Sequence, residues 1–172
     1  MQEIIIIAGP NGAGKTSFAN KHFEAPRAGL VYLNADEIAR KPEHAGRAQQ
    51  ETNIRAGREM LARIDALVEA RASFMFETTL ASLSYARKIP TWRRIGYVVA
   101  LIYLRLPNVD MSLERVRRRV ARGGHGIPED VIRQRFAKSA DYLEKYYKEI
   151  VDEWYVWDSL EGEFRRAEAW SD

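Results

Sequence analysis

Apolar runs of strand length alternate along the chain with longer stretches in which apolar residues return every three or four positions. The runs at 3–8, 29–33, 73–77, 97–104 and 152–157 have the length of strands. Between them, Ile54, Leu61, Ile64 and Val68 mark a helix over 47–71, and Val109, Leu113, Val116 and Val120 mark another over 109–121. Pro128, well suited to a helix's first turn, opens a further one that runs to about Glu149. The stretch 158–170 reads two ways: a turn at Asp158 to Gly162 with an edge strand behind it, or a frayed helix. Strand and helix in alternation is the pattern of βαβ units, so the expectation is an α/β protein on a mostly parallel sheet. No Ser/Gly-rich linker, repeat or low-complexity segment interrupts the 172 residues, and one domain is expected over 1–172.

The first of these strands runs into Gly9-Pro10-Asn11-Gly12-Ala13-Gly14-Lys15-Thr16, which meets the phosphate-loop pattern G-x-x-x-x-G-K-[ST] at every fixed position. A helix-compatible segment, Thr16 to His22, follows and completes the strand–loop–helix order in which the pattern has meaning. Glycines let backbone N–H groups converge on a phosphate, and the helix N-terminus adds partial positive charge. Gly9, Asn11, Gly12, Ala13, Gly14, Lys15, Thr16 and Ser17 therefore form the expected cradle for ATP or GTP. Lys15 would reach the β- and γ-phosphates, and the Thr16 hydroxyl would hold Mg²⁺. A transporter-type ATPase can carry the same loop, but the Ser-Gly-Gly signature and the hydrophobic strand ending in Asp-Glu that it needs are missing.

In an open α/β sheet, ligands bind beyond the carboxyl ends of the strands. Val31-Tyr32-Leu33 ends at Asn34-Ala35-Asp36-Glu37, and Ser73-Phe74-Met75-Phe76 ends at Glu77-Thr78-Thr79. Asp36 there suits either a base that takes a proton from an attacking hydroxyl or a helix first-turn acid favoured by the dipole. Glu77 suits orientation of Mg²⁺-bound water or a substrate hydroxyl, with Thr78 and Thr79 as further polar contacts. As a mere strand terminator it would be an odd choice, because three polar groups follow a fully apolar strand.

Net charge says little until it is resolved along the chain. Twenty-seven Lys and Arg oppose twenty-four Asp and Glu, a balance of +3, too mild for a nucleic-acid binder driven by bulk charge. Between 113 and 138, however, eight cations face three anions, so this segment alone exceeds the whole-chain value. Its two arginine clusters flank Arg122-Gly123-Gly124-His125-Gly126-Ile127-Pro128, which reads as a hinge-rich lid loop able to bring arginines over a triphosphate. Arg119, Arg122, Arg133 and Arg135, nearest the loop, are the candidates, while Arg115 and Arg118 read as solvated or paired residues. His125 reads as a loop-tip residue. No stacking aromatic accompanies these cations, which weakens a nucleic-acid reading. The absence of cysteine excludes a disulfide scaffold, a thiolate metal site and cysteine nucleophilic catalysis. The apolar stretch 4–8 lacks a preceding basic segment, and Tyr97 to Leu104 falls far short of the ~20 residues that cross a bilayer, so a soluble cytoplasmic protein is expected.

Tyr142, Tyr146, Tyr147, Trp154, Tyr155 and Trp157 are expected to pack the last helix against the last strand. Between Ala45 and Gly57, the residues Gln49, Gln50, Glu51, Asn53 and Arg55 form either a solvated face or a substrate-facing rim.

The ordered set of Gly-Pro-Asn-Gly-Ala-Gly-Lys-Thr, Asn34-Ala35-Asp36-Glu37, Glu77-Thr78-Thr79 and Arg122-Gly-Gly-His-Gly-Ile-Pro with Arg135 beyond resembles the zeta toxin-like family of P-loop kinases. More narrowly, the chain resembles the small stand-alone members, and the likeness spans residue 4 to about 158. The resemblance implies a three-layer, nucleoside-kinase-like P-loop fold with an arginine-bearing lid at about 113–138. It implies ATP and Mg²⁺ as cofactors, with Lys15 and Thr16 at the phosphates and metal; Arg119, from the charge pattern, is a further candidate for the nucleotide. The resemblance further implies Asp36 as base for the acceptor hydroxyl, Glu77 with Thr79 beside the substrate, and Arg122 and Arg135 as the lid arginines. Characterised zeta toxins phosphorylate a sugar hydroxyl of UDP-N-acetylglucosamine, so a small-molecule acceptor of that kind is implied, as is an antitoxin or inhibitory protein partner. A monomer or weak dimer with no membrane or nucleic-acid partner completes the expectation. Two other readings stand beside it: a nucleotide-dependent switch or binding module with slow ATPase activity, and a nucleic-acid kinase.

Overall fold

Ile4, Ile6 and Ile7 are fully buried because the strand that carries them lies in the middle of a six-stranded sheet. The computed structural model describes residues 1–23, 30–42, 46 and 48–171. Its strands are β1 (Gln2–Ala8), β2 (Val31–Leu33), β3 (Phe74–Thr78), β4 (Tyr97–Arg105), β5 (Glu153–Ser159) and β6 (Phe164–Ser171). They are ordered β2-β3-β1-β4-β5-β6, parallel throughout except for the antiparallel pair β5 and β6. The helices are α1 (Lys15–His22), α2 (Ala35–Ala39), α3 (Gln49–Glu69), α4 (Ile89–Arg94), α5 (Val109–Ala121) and α6 (Glu129–Tyr142).

Successive residues of a strand face opposite sides, and the core divides accordingly. Ile4, Ile6, Phe74, Phe76, Leu101 and Tyr103 pack with Ala56, Met60 and Ile64 of α3 and with Ile89 and Trp92 of α4. Ile5, Ile7, Met75, Ile102 and Leu104 pack with Phe18 and Ala19 of α1 on the other face. The result is the three-layer α/β arrangement expected. Helix α6 passes from one side to the other: Phe136 joins the second cluster, whereas Leu143 and Tyr147, in the π-helical segment that prolongs it, join the first. Tyr147 donates to the Ser82 carbonyl at 2.5 Å, which ties that segment to the loop after β3.

The apolar periodicity is offset from the expected one on α3. The face turned to the sheet carries Thr52, Ala56, Met60 and Ile64, while Ile54 is 50% exposed. Two residues correspond to about 200° of helix, so Ile54 cannot share a face with Thr52 and Ala56, and the small Ala56 lets α3 sit close to the sheet. Val120 of α5 is likewise exposed, whereas Leu113 and Val116 are buried against Ile132 of α6. The helix expected to reach Glu149 is regular only to Tyr142, continuing through the π-helical segment Leu143–Tyr147 and a last turn Lys148–Ile150. At 158–170 the turn-and-edge-strand reading holds: the Leu160 N–H closes the turn on the Glu163 carbonyl and β6 follows. Tyr146 is exposed, unlike the buried Tyr147. Residues 29 and 47, the first of the expected strand 29–33 and helix 47–71, and Ala45 lie outside the described residues. Among the described residues no helix is long and apolar enough to cross a membrane.

Leu101 is fully buried at the sheet centre, so Leu101→Ala is expected to destabilise the protein by about 2–5 kcal/mol through lost burial and a residual cavity. Urea unfolding followed by circular dichroism measures it, with the slope against urea unchanged.

Candidate active site

The phosphate loop leaves β1 through a residue that only glycine can be. Gly9 has φ 149°, and a Cβ on it would lie 2.5 Å from the Leu104 carbonyl oxygen of β4. Its N–H donates to the Thr78 carbonyl at 3.2 Å, pinning the loop to the end of β3. The loop then reaches Gly14, which caps α1. Lys15 extends its ammonium to the carbonyls of Gly9 and Pro10 at 3.0 and 3.2 Å. Burial lowers the pKa of this amine, the charges of Glu77 and Asp36 raise it, and those of Arg119 and Arg135 lower it further. Lys15 shares its cleft with two carboxylates, Glu77 and Asp36, and two guanidinium groups, Arg119 and Arg135. Asn11, Gly12, Gly14, Lys15, Thr16 and Ser17 line a cleft of about 690 Å³. Ala13 is fully buried and does not line the cleft, its N–H being taken by the Pro10 carbonyl at 3.1 Å. The Asn11 side-chain carbonyl is buried without a hydrogen-bond partner among the described residues.

Asn34 ends β2 and caps α2 by accepting the Asp36 N–H at 2.8 Å. Asp36 is therefore a first-turn acid and a cleft residue at once, with its carboxylate 59% exposed. The Asn34 side-chain amide also points to the Thr16 hydroxyl, at 3.4 Å. At the end of β3, Glu77 is buried and accepts a hydrogen bond from the Tyr32 hydroxyl. Burial pushes its carboxyl pKa up, while the Tyr32 bond, the Lys15 charge and a bond from Thr16 oppose that shift. The Tyr32 hydroxyl is in turn pushed above the usual tyrosine range, by burial first and then by its bond to Glu77. Thr78 accepts the Leu80 N–H at 3.0 Å, shaping the turn that leaves Thr79 in the cleft.

The two helices expected to form the lid place their arginines unequally. Arg119 of α5 lies 3.6 Å from the Asp36 carboxylate and donates to the His125 carbonyl at 3.2 Å. Arg135 of α6 also lines the cleft, where burial lowers its pKa against the pull of Asp36. Arg122, at the end of α5, is exposed and is not among the residues lining the cleft, nor is Arg133, which faces Asp110 at 3.9 Å. Arg118 pairs with Glu114 and Glu161, as expected of a solvated arginine. Arg115 departs from that expectation: it lines the cleft and donates to the Gly12 carbonyl and to Ser159. His125 is exposed at the loop tip and at the cleft edge together. Gln49 and Asn53 line the cleft, so the polar stretch of α3 supplies a rim.

The donor set suits a hard cation beside a polyphosphate: the Thr16 hydroxyl, with the carboxylates of Glu77 and Asp36 on the same cleft. Among the described residues no three His, Cys, Asp or Glu side chains cluster into a metal cage. Tyr32, Asn34 and Arg115 were missed in the sequence. Tyr32 reads there as one more apolar strand residue, and Arg115 is one cation in a run of them; the Asn34-x-Asp36 spacing was the available signal for the cap.

A family model described as Zeta toxin matches residues 2–159. An uncharacterised protein of Haemophilus influenzae is 28% identical over 134 residues, covering 77% of this chain and 91% of its own. The fold is shared with the PezAT toxin–antitoxin system of Streptococcus pneumoniae, at a TM-score of 0.67 and 17% identity, over 91% of this chain and 68% of that one. It is shared too with AvrRxo1-ORF1:-ORF2 solved with ATP, at a TM-score of 0.74 and 16% identity, over 98% of this chain and 58% of that one.

Tyr32→Phe removes the hydroxyl donor from a buried carboxylate. The variant is expected to lose about 1–3 kcal/mol in urea unfolding, and a double variant with Glu77→Gln is expected to lose less than the sum of the two singles.

Proposed function

The chain belongs to the zeta toxin family, and we propose that it is a P-loop kinase moving the γ-phosphate of ATP onto a hydroxyl of a small molecule. The observation that supports this most is the convergence of Lys15, Asp36, Glu77, Arg119 and Arg135 on one cleft, with Arg119 3.6 Å from the Asp36 carboxylate. A nucleotide-binding switch needs the phosphate loop; it has no use for an exposed carboxylate held opposite it.

In the proposed reaction the acceptor hydroxyl gives its proton to Asp36 as its oxygen bonds to the γ-phosphorus. The bond from that phosphorus to the oxygen bridging the β-phosphate breaks, and ADP leaves with the bridging oxygen. Lys15, Arg119 and Arg135 stabilise the charge that spreads over the phosphoryl oxygens. Thr16, with Glu77 behind it, would hold Mg²⁺, which neutralises the β- and γ-phosphates when bound. Gln49, Asn53, Thr79, Ser82 and Tyr85 add neutral hydrogen-bonding groups to the cleft, suited to sugar hydroxyls. A nucleotide sugar resembling UDP-N-acetylglucosamine is accordingly the first acceptor to try. The PezAT neighbour comes from a toxin–antitoxin system, and an inhibitory protein partner is part of the same proposal.

Asp36→Asn is expected to lose about 100-fold or more in phosphoryl transfer while ATP affinity, measured by calorimetry, stays nearly unchanged. Persistent transfer would show that Asp36 is not the base. Lys15→Ala is expected to lose most ATP binding or turnover, and normal turnover in that variant would remove the nucleotide assignment.

A further inference from the structure

Three consecutive carbonyls of the phosphate loop each find a partner outside the loop. Ser112 of α5 donates its hydroxyl to the Asn11 carbonyl. Arg115, three residues on, donates to the Gly12 carbonyl at 3.2 Å. Ser159, the last residue of β5, donates to the Ala13 carbonyl at 2.7 Å. Arg115 also donates to the Ser159 hydroxyl and carbonyl at 2.8 and 3.2 Å, so the three side chains make one bracket. Ser112 and Ser159 are 0% and 1% exposed, so they serve the loop rather than solvent.

A trans peptide unit points its C=O and the following N–H in opposite directions. Holding the carbonyls of Asn11, Gly12 and Ala13 outward therefore fixes the N–H groups of Gly12, Ala13 and Gly14. The Ala13 N–H closes the turn on Pro10 at 3.1 Å, while Gly12 and Gly14 line the cleft. The bracket also keeps three carbonyl dipoles from turning toward a polyphosphate, where they would repel it. Gly12 records how close the parts are. The phosphate-loop pattern leaves its position free, yet a Cβ there would lie 2.9 Å from the Arg115 Cβ and 3.1 Å from the Ser112 carbonyl. Glycine at 12 is thus needed for the approach of α5.

We propose that Ser112, Arg115 and Ser159 are positioning residues for the phosphate loop, holding the N–H groups of Gly12 and Gly14 toward the anion and fixing α5 against the loop. Arg119 lies one turn beyond Arg115 on the same helix, so the bracket also sets that guanidinium relative to the loop. The inference rests on the reading of the loop as a polyphosphate site, but its geometric half is independent of any ligand.

The test compares wild type with Ser112→Ala, Ser159→Ala, Arg115→Gln and Arg115→Met in the full chain. Two readouts are used: the amide resonances of Gly12 and Gly14 in the ligand-free protein, and the affinities for Mg²⁺-ATP and for inorganic tripolyphosphate. The glycine amides are expected to shift or broaden in both alanine variants and in Arg115→Met. Each of these three variants is expected to bind both ligands about 2- to 12-fold more weakly, the equivalent of one hydrogen bond. Arg115→Gln, which keeps a donor, should recover part of the loss. Ser159→Ala with Arg115→Met should lose less than the product of the two single effects, because the two side chains share one chain of bonds. A role confined to stability would lower the melting temperature and leave affinity and glycine amides as in wild type, and that result overturns the proposal. So does a loss confined to Arg115, which would mean a direct contact with the ligand. If wild type bound neither ATP nor tripolyphosphate, the nucleotide reading would fail, while the glycine amides would still decide whether the bracket shapes the loop.

Discussion

On the proposed reading a polyphosphate is met by backbone N–H groups, and a backbone can converge on an anion only if its carbonyls are engaged elsewhere. The other parts of the protein answer to that requirement. β1 is central in the sheet, which places the loop that follows it between the ends of β3 and β4. The Gly9 N–H is bonded to β3, the Gly9 and Pro10 carbonyls to Lys15, and the next three carbonyls to α5 and β5. The parallel order then opens every neighbouring strand end on the same side, which is why Asp36, after β2, and Glu77, in β3, reach the cleft that the loop lines.

The electrostatics follow from the same convergence. Lys15 sits where burial opposes its charge, and the nearby carboxylates of Glu77 and Asp36 support it. Apart from the exposed Arg122, the cations of 113–138 divide in the fold into two populations. Arg117 and Arg118 pair with Glu129, Glu114 and Glu161, and Arg133 faces Asp110. Arg115, Arg119, Arg135 and Lys138 line the cleft. A mild net charge thus conceals a strongly cationic wall beside the phosphate loop, while the paired arginines fasten α5 to α6 and to the β5–β6 turn.

Legibility tracked how local each feature is. The phosphate loop is a contiguous pattern, and β1, β3 and β4 are visible because central parallel strands are buried on both faces. Helix α5 runs over Val109–Ala121, as its period indicated, because most of its apolar residues form one stripe. Helix α3 is legible but the start of its buried face is not, since that face carries Thr52 and Ala56, whose small side chains give little hydrophobic signal, while Ile54 is exposed. The short helices α2 and α4 are too brief for periodicity, and the π-helical segment after Tyr142 depends on a distant contact between Tyr147 and Ser82. In the cleft, Asp36, Glu77 and Thr79 were legible from strand ends. The register of an arginine run is set by its partners in space: that is why Arg115 and not Arg122 faces the loop, and why Tyr32 was invisible until β2 lay beside β3.

Kinase chemistry differs from a nucleotide switch in where the γ-phosphate goes. The decisive measurement incubates the protein with γ-labelled ATP, Mg²⁺ and a pooled small-molecule extract, then follows the label by mass spectrometry. A P-loop kinase predicts label in an organic phosphate ester that forms with wild type and is missing with Asp36→Asn. Label found only in inorganic phosphate, at equal rates in the two proteins, would contradict the account.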